Sequence, residues 1–330
     1  MHRIRRILVA VKDPTQRSQP ALAKAAQIAA GCDAELVLFQ AISAPVSVDA
    51  DVPRFKDGLA GIERSTRDKS LGQLERIAQR LRRTPLKVSV SAEWDFPVYD
   101  AIVREAYRVD ADLVVAEQHA GSHRAAGLLR LTDWELLRHS PMPVLLVKRA
   151  GRYRRPNVLA AVDPTHSYRK PAGLDLELLH IAAAVAGALG GHLHAVHAYE
   201  AIPLTAFSAG TLSALEVERR AAQSARAAAE ELRRVTRPLH VPESRRHVIA
   251  RHPSDSIVQV ANDTHSAVVV MGALSRSGLK RLLIGDTTEK VLDRLSCDVL
   301  VIKPAGVVRR PPHARRGVRY RASLVHPWID

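Results

Sequence analysis

Apolar and polar positions alternate along this chain in blocks that read as strands and helices in turn. Ile7 to Val11 is a continuous apolar run closed by Lys12-Asp13-Pro14, the pattern of a parallel strand buried on both faces. An alanine-rich stretch from about Gln19 to Ala30 has helical spacing, and Gly31 stands where a C-cap belongs. Glu35 to Gln40 gives a second strand. A helix from about Asp57 to Arg83 carries Leu71, Leu74, Ala78 and Leu81 at helical spacing and is stopped by Pro85. Leu86 to Ser91 forms a third strand, and Pro97, which has no N–H to donate, suits the first turn of a helix running to Arg108. Asp112 to Ala116 and Val144 to Lys148 complete five strands, with a helix from Thr132 or Asp133 to His139 between them.

The same order then returns. Val158 to Val162 ends at Asp163-Pro164 as the first strand ends at Asp13-Pro14. A helix over Gly173 to Leu189, a strand over His192 to His197, a helix over Leu212 to Val235, a strand over Arg246 to Ala250 and a helix opening at Pro253 follow. Ala267 to Met271 and Asp298 to Lys303 are buried strands flanking a helix that opens near Thr287. One constant shift lays Thr132 on Thr287, Leu137 on Leu292 and Val144 on Val299 without a gap. A repeat of that length is two domains of one fold, not a solenoid. The expected organisation is a domain over 1–150, a second over 155–304, and a tail over 305–330. Strands alternating with helices predict an α/β fold, a doubly wound parallel sheet of five strands in each domain.

Composition changes this picture little. At 330 residues each half is large enough to bury its own core, and the two cysteines, Cys32 and Cys297, fall in different halves and suggest no disulfide framework. The first apolar run is too short for a signal segment or membrane span, so a cytoplasmic protein is expected. The net charge of +15 is compatible with nucleic acid or an acidic partner, yet aromatic residues make up only 4%, leaving few stacking platforms for single-stranded bases. Paired arginines and prolines from Val307 onward read as a disordered basic tail, and any contact with nucleic acid or an acidic partner is expected there.

The candidate chemistry lies where a strand feeds a glycine-bearing loop and then a helix. Unpaired N–H groups and the dipole at a helix start favour anions. After Met271 the loop holds Gly272, Gly278 and Gly285, with Ser275, Arg276, Lys280 and Arg281 able to face phosphate oxygens, and Thr287 and Thr288 just inside the helix. Asp286 is suited to be the N-cap, where it competes with a phosphate for the same donors. The first half has Glu117, Ala120 and Arg130 at the positions of Gly272, Ser275 and Gly285; side chains there, and a carboxylate above all, oppose phosphate. Taken alone, the loop is equally well a capped strand-to-helix connection, and Asp163 an ordinary turn residue. His192, His194 and His197 alternate across a strand, poor geometry for a metal, and Trp134 is expected in the core. No Walker A, GxSxG or HExxH signature is present, and no acid–base pair suggests an enzyme.

With these residues in view, the chain resembles the universal stress proteins over about residues 3 to 304. Nucleotide-binding members carry Gly-x-x-Gly, nine residues, then Gly followed by Ser or Thr. Gly272, Ser275 and Gly285 keep that spacing with an edited chemistry, Asp286 standing where a small hydroxyl is usual. The run Leu131 to Arg138 and the run Arg276 to Glu289 look like the tandem, UspE-like type. The resemblance implies strand order 3-2-1-4-5, an internal pseudo-dimer of the two domains, a homodimer as a further assembly, and a non-enzymatic stress-response module. It allows ATP with magnesium in the second domain, where Asp163 would face the nucleoside and Met271, Gly272, Ser275, Arg276, Gly278, Gly285, Asp286, Thr287 and Thr288 would line the site. Slow ATPase activity or self-phosphorylation on Thr287 or Thr288 is the rival reading.

Overall fold

A computed structural model describes residues 4–43, 55–118, 126–165, 173–199, 214–273 and 286–304. Side chains are described for all of these except 55–60, 126–132, 214 and 286. The contacts divide the chain at Ala150/Gly151 into two units.

In the first unit the elements are β1 (Arg6–Ala10), α1 (Pro20–Cys32), β2 (Glu35–Ile42), α2 (Phe55–Leu81), β3 (Val88–Trp94), α3 (Val98–Arg108), β4 (Leu113–Glu117), α4 (Ala126–His139) and β5 (Val144–Val147). Strands run parallel in the order β3-β2-β1-β4-β5. β1 is central because Ile7, Leu8 and Val9 have no polar face to offer water; each is at most 1% exposed. Leu8 stands opposite Val37 on one side and Val114 on the other. α1 packs on β1 and β4 through Ala21, Leu22, Ala25, Ile28 and Ala29. Lys24 shares that buried face because its ammonium donates to the Arg149 carbonyl at 2.7 Å. α2 covers β2 and β3.

The second unit repeats the order: β6 (Asn157–Val162), α5 (Leu174–Ala188), β7 (His192–Ala198), α6 (Ala214–Thr236), β8 (Arg246–Ile249), α7 (Pro253–Asp263), β9 (Val268–Gly272), α8 (Asp286–Arg294) and β10 (Asp298–Ile302). Its strands run β8-β7-β6-β9-β10, all parallel. α5 packs on β6, β7 and β9, and α6 on β7 and β8. A tight spot precedes β7: a Cβ on Gly191 would lie 2.0 Å from the Pro156 carbonyl oxygen, so only glycine allows the His192 N–H to reach that oxygen at 2.9 Å. Tyr153 donates its hydroxyl to the Asp298 carboxylate at 2.6 Å in a buried contact, and burial beside that carboxylate pushes the phenol far above its usual range.

Most expected elements are present with ends shifted by a few residues. Gly31 does not cap α1; the helix runs on to Cys32 and the left-handed residue is Asp33, at φ 52°. A short aspartate side chain tolerates that conformation. Pro97 is the N-cap of α3, one position outside the first turn. α4 starts at Ala126, ahead of Thr132. Trp134 is half-buried, and among the described side chains of α4 the buried apolar ones are Leu136 and Leu137. The basic tail over 305–330 lies outside the described residues, as do its expected partners.

Candidate functional site

At the carboxyl ends of β6 and β9, the first turn of α5 lies against the strands. Gly173, the N-cap, takes φ 98°, which turns the chain so that Leu174 and Asp175 point down onto the sheet end. The Asp175 carboxylate accepts the Asp163 N–H at 3.0 Å. Asp163 is 4% exposed and its Oδ1 accepts the Thr165 hydroxyl at 3.2 Å. Leu174 lies against Gly272: a Cβ there would meet its Cδ2 at 3.0 Å. The Gly272 carbonyl accepts the Thr288 hydroxyl at 3.2 Å, and the Ala273 N–H continues the sheet to Ile302 at 2.9 Å.

Of the residues expected at a phosphate site here, the structure brings Asp163, Gly272 and Thr288 around that turn. Met271 is buried in β9, Thr287 is half-buried and Thr288 is 2% exposed. Asp286 is the first residue inside α8, not the N-cap expected from the sequence; the helix opens one residue earlier than its side-chain chemistry suggested. Ser275, Arg276, Gly278 and Gly285 lie outside the described residues.

The first unit's strand ends are described more fully. A cavity of about 520 Å³ opens there, floored by Ala10, Val11 and Phe39 and walled by Ile102, Ala116 and Leu136. Phe96, Pro97, Val98 and Tyr99 bound it on the β3–α3 side, Lys12, Ala41 and Ser43 on the β1–β2 side, and Glu117, Asp133 and Glu135 on the β4–α4 side. Such a volume suits a drug-sized molecule. Asp95 fixes one wall. It is 1% exposed, accepts the Phe96 N–H at 2.7 Å and pairs with Arg104, which also reaches Glu93 at 3.1 Å. Phe96 is thereby held with 56% of its surface exposed. Glu135 accepts from Arg138 at 2.9 Å and lies 2.9 Å from the His139 ring, which stacks on Tyr99 with centroids 5.0 Å apart. Asp13 is a turn residue: the Thr15 hydroxyl and N–H donate to it at 2.6 and 2.8 Å and hold its carboxyl below the usual range.

Spacing arguments missed this cavity, and the available signal was the set of Phe39, Phe96 and Tyr99 near strand ends. They also missed a histidine pair. His194 Nδ1 and His247 Nε2 are 3.1 Å apart, with rings 8° from parallel and centroids 5.4 Å apart, as expected for two rings sharing one proton end to end. Burial, with His247 and Arg245 close by, pushes His194 down to about 4; His247 is lowered by burial as well. His197 is fully buried, 3.4 Å from the Val162 carbonyl. Among the described residues no group of three or more His, Cys, Asp or Glu is placed to hold a metal, and no helix is long and apolar enough to cross a membrane.

The model of the universal stress protein family matches the chain twice, over residues 3–148 and 157–303. A universal stress protein E of Photorhabdus laumondii is 26% identical over 304 residues, covering 91% of this chain and 95% of the relative. That of Escherichia coli K12 is 25% identical over 302 residues, covering 90% and 93%. Among solved structures, a protein of unknown function from Pseudomonas aeruginosa PAO1 superposes with a TM-score of 0.67 at 26% identity, covering 91% of this chain and 93% of its own. A universal stress protein from Archaeoglobus fulgidus, at 17% identity and a TM-score of 0.60 over 90% and 96%, shares the fold.

Proposed function

We propose, from the premise that the chain belongs to the universal stress protein family and carries its domain in tandem, that it is a cytoplasmic, non-enzymatic binding module whose first domain holds the ligand. The observation that carries this reading is the 520 Å³ cavity over β1, β2 and β4. Its walls are mostly apolar, with a few polar groups on the β1–β2 and β4–α4 sides, which is the usual make-up of a small-molecule site. A ligand closing over Phe96 would draw α3 and α4 against one another, so occupancy would be felt at the surface of the domain as a shift in population between two arrangements.

The test is native mass spectrometry of the full chain as purified, beside Ala41→Trp, which puts a ring into the cavity from the half-exposed end of β2. A small molecule carried by the wild type and lost in the variant is the expected result. Equal spectra for the two, neither with added mass, together with equal affinity for an apolar fluorophore, would refute it.

A second reading rests on the meeting of Gly272 with Thr288 at the β9–α8 junction. It places ATP with magnesium in the second domain, with Asp163 at the nucleoside and the loop that follows Gly272 at the phosphates. If phosphoryl transfer to the protein accompanies it, Thr287 is the better acceptor, because the Thr288 hydroxyl is buried and already donates to Gly272. Calorimetric titration with magnesium ATP decides this reading, and retention of the γ-phosphate label by wild type but not by Thr287→Ala decides the acceptor.

A further inference from the structure

We infer that the His194–His247 pair of the second domain is a binding site for a singly charged soft metal ion, copper(I) or silver(I), held in line between two imidazole nitrogens. The site is independent of the ligand reading given for the first domain. Its halves come from neighbouring strands: His194 from β7 and His247 from β8, with Val196 opposite His247 in the register. Side chains two positions apart on a strand share a face, so His194 and His247 stand diagonally on one face. Both rings are half-buried and thus partly open to water, and β8 ends the strand order, paired among the described strands with β7 alone.

The class of ion follows from how the rings meet. With Nδ1 of His194 and Nε2 of His247 3.1 Å apart, centroids 5.4 Å apart and planes 8° from parallel, the two nitrogens lie close to the line joining the ring centres. One of them carries the hydrogen they share. Moved to the outer nitrogen of the same ring, that hydrogen leaves two lone pairs aimed at each other along one axis, and the pair loses no proton. Singly charged ions with filled d shells take two nitrogens in line. Zinc, nickel and copper(II) want ligands at the corners of a tetrahedron, square or octahedron, and both rings would have to turn. A metal–imidazole bond of about 2 Å on each side asks for nitrogens about 4 Å apart, so the pair must open by roughly 1 Å, which an edge strand can give. Charge points the same way. Arg245 and His192 lie near His194, and Asp263, at the end of α7, lies near His247. One carboxylate against one guanidinium leaves little to offset a second positive charge on the ion, and the cost of burying a charge rises with its square.

The experiment titrates the full chain carrying Cys32→Ser, which removes the half-exposed thiol, with silver(I) in chloride-free buffer and, under argon, with copper(I) kept reduced by ascorbate. Proton–nitrogen correlation spectra of the histidine rings give the readout. Nδ1 of His194 and Nε2 of His247 are expected to shift together and to saturate together, and zinc(II) or nickel(II) should need about tenfold more ion to move them. His194→Gln and His247→Gln should each weaken silver binding at the site by about tenfold or more, whereas His240→Asn, at an exposed position, should leave it unchanged. The spectra of the unaltered rings give the answer even where a glutamine variant folds poorly. Neither nitrogen moving, or only one of them, overturns the in-line site, as does an affinity that both glutamine variants keep. Zinc or nickel moving the pair at a lower concentration than silver or copper(I) overturns the class of ion.

Discussion

Among the described residues, the carboxyl ends of the strands carry different side chains in the two domains. In the second, the turn that opens α5 sits on them: Asp175 holds the Asp163 N–H and Leu174 rests on Gly272. In the first, the corresponding region keeps a cavity lined by aromatic rings and carboxylates. The glycine spacing of a phosphate loop survives in the second domain, and the described cavity is in the first. A motif reports which backbone conformations are permitted. Whether a ligand finds room depends on side chains that come from elsewhere in the chain, and among the described residues of the second domain Leu174 and Asp175 are two that reach this strand end.

The comparison can be broken most forcefully at Leu174. It is 2% exposed, and Leu174→Ala should cost about 2–5 kcal/mol in urea denaturation, the usual range for such a truncation, while clearing space above Gly272. If the covered strand end is what keeps ligands out of the second domain, this variant should gain affinity for apolar probes there even as it loses stability. Asp175→Ala comes next. It strands the buried Asp163 N–H and should cost about 1–3 kcal/mol, with Asp175→Asn, whose amide oxygen still accepts, recovering part of the loss. Tyr153→Phe should fall in or just below the same range, because Asp298 loses one donor in a buried setting while the ring packing stays. Thr288→Val is expected to lose about 1 kcal/mol, the worth of one hydroxyl donated to the Gly272 carbonyl.

A pH dependence separates the domains as well. His194 has its folded pKa lowered from 6.5 to about 4, chiefly by burial. The unfolded chain therefore binds the proton first, so the stability that neutral His194 contributes is complete above pH 6.5 and lost as pH falls toward 4. Glu105 in the first domain is the counterpart. Burial pushes it upward, but hydrogen bonds from Arg108 and Ser91 outweigh that and leave it below its ordinary 4.5. Its contribution holds above that value and fades only as pH falls below it. Hydrogen exchange followed from pH 7 to pH 4 should show amides of β7 and β8 losing protection before those of β3 and α3. His194→Phe, which does not titrate, should remove the difference.

Much of the fold was legible in the sequence because burial on both sides of a parallel sheet leaves continuous apolar runs, as in Ile7 to Val9 and Val268 to Met271. The tandem arrangement was legible because corresponding helices and strands keep one shift between Thr132 and Val144. The strand order was an implication of family resemblance, since apolar runs do not say which neighbour each strand takes. The cavity was illegible for a physical reason: its lining comes from five separated stretches, around Val11, Ala41, Phe96, Glu117 and Asp133, with no fixed spacing among them. The contacts that α5 makes with the second domain's strand ends were equally hidden. Leu174 and Asp175 look like an ordinary helix start, and only the left-handed turn at Gly173 aims them at the sheet. Helix ends such as Gly31 against Asp33 differ by less than local propensity can resolve.

The bond between Tyr153 and Asp298 spans 145 residues of chain. A protein is made from its amino end, so the first domain has every strand of its sheet once β5 leaves the ribosome. The segment that starts the second domain must instead wait for β10, almost at the end of synthesis, before Tyr153 finds its acceptor. The order of translation thus gives the first domain the time to close around its cavity on its own, and a ribosome stalled just before Asp298 should carry one folded domain and one still open to proteases.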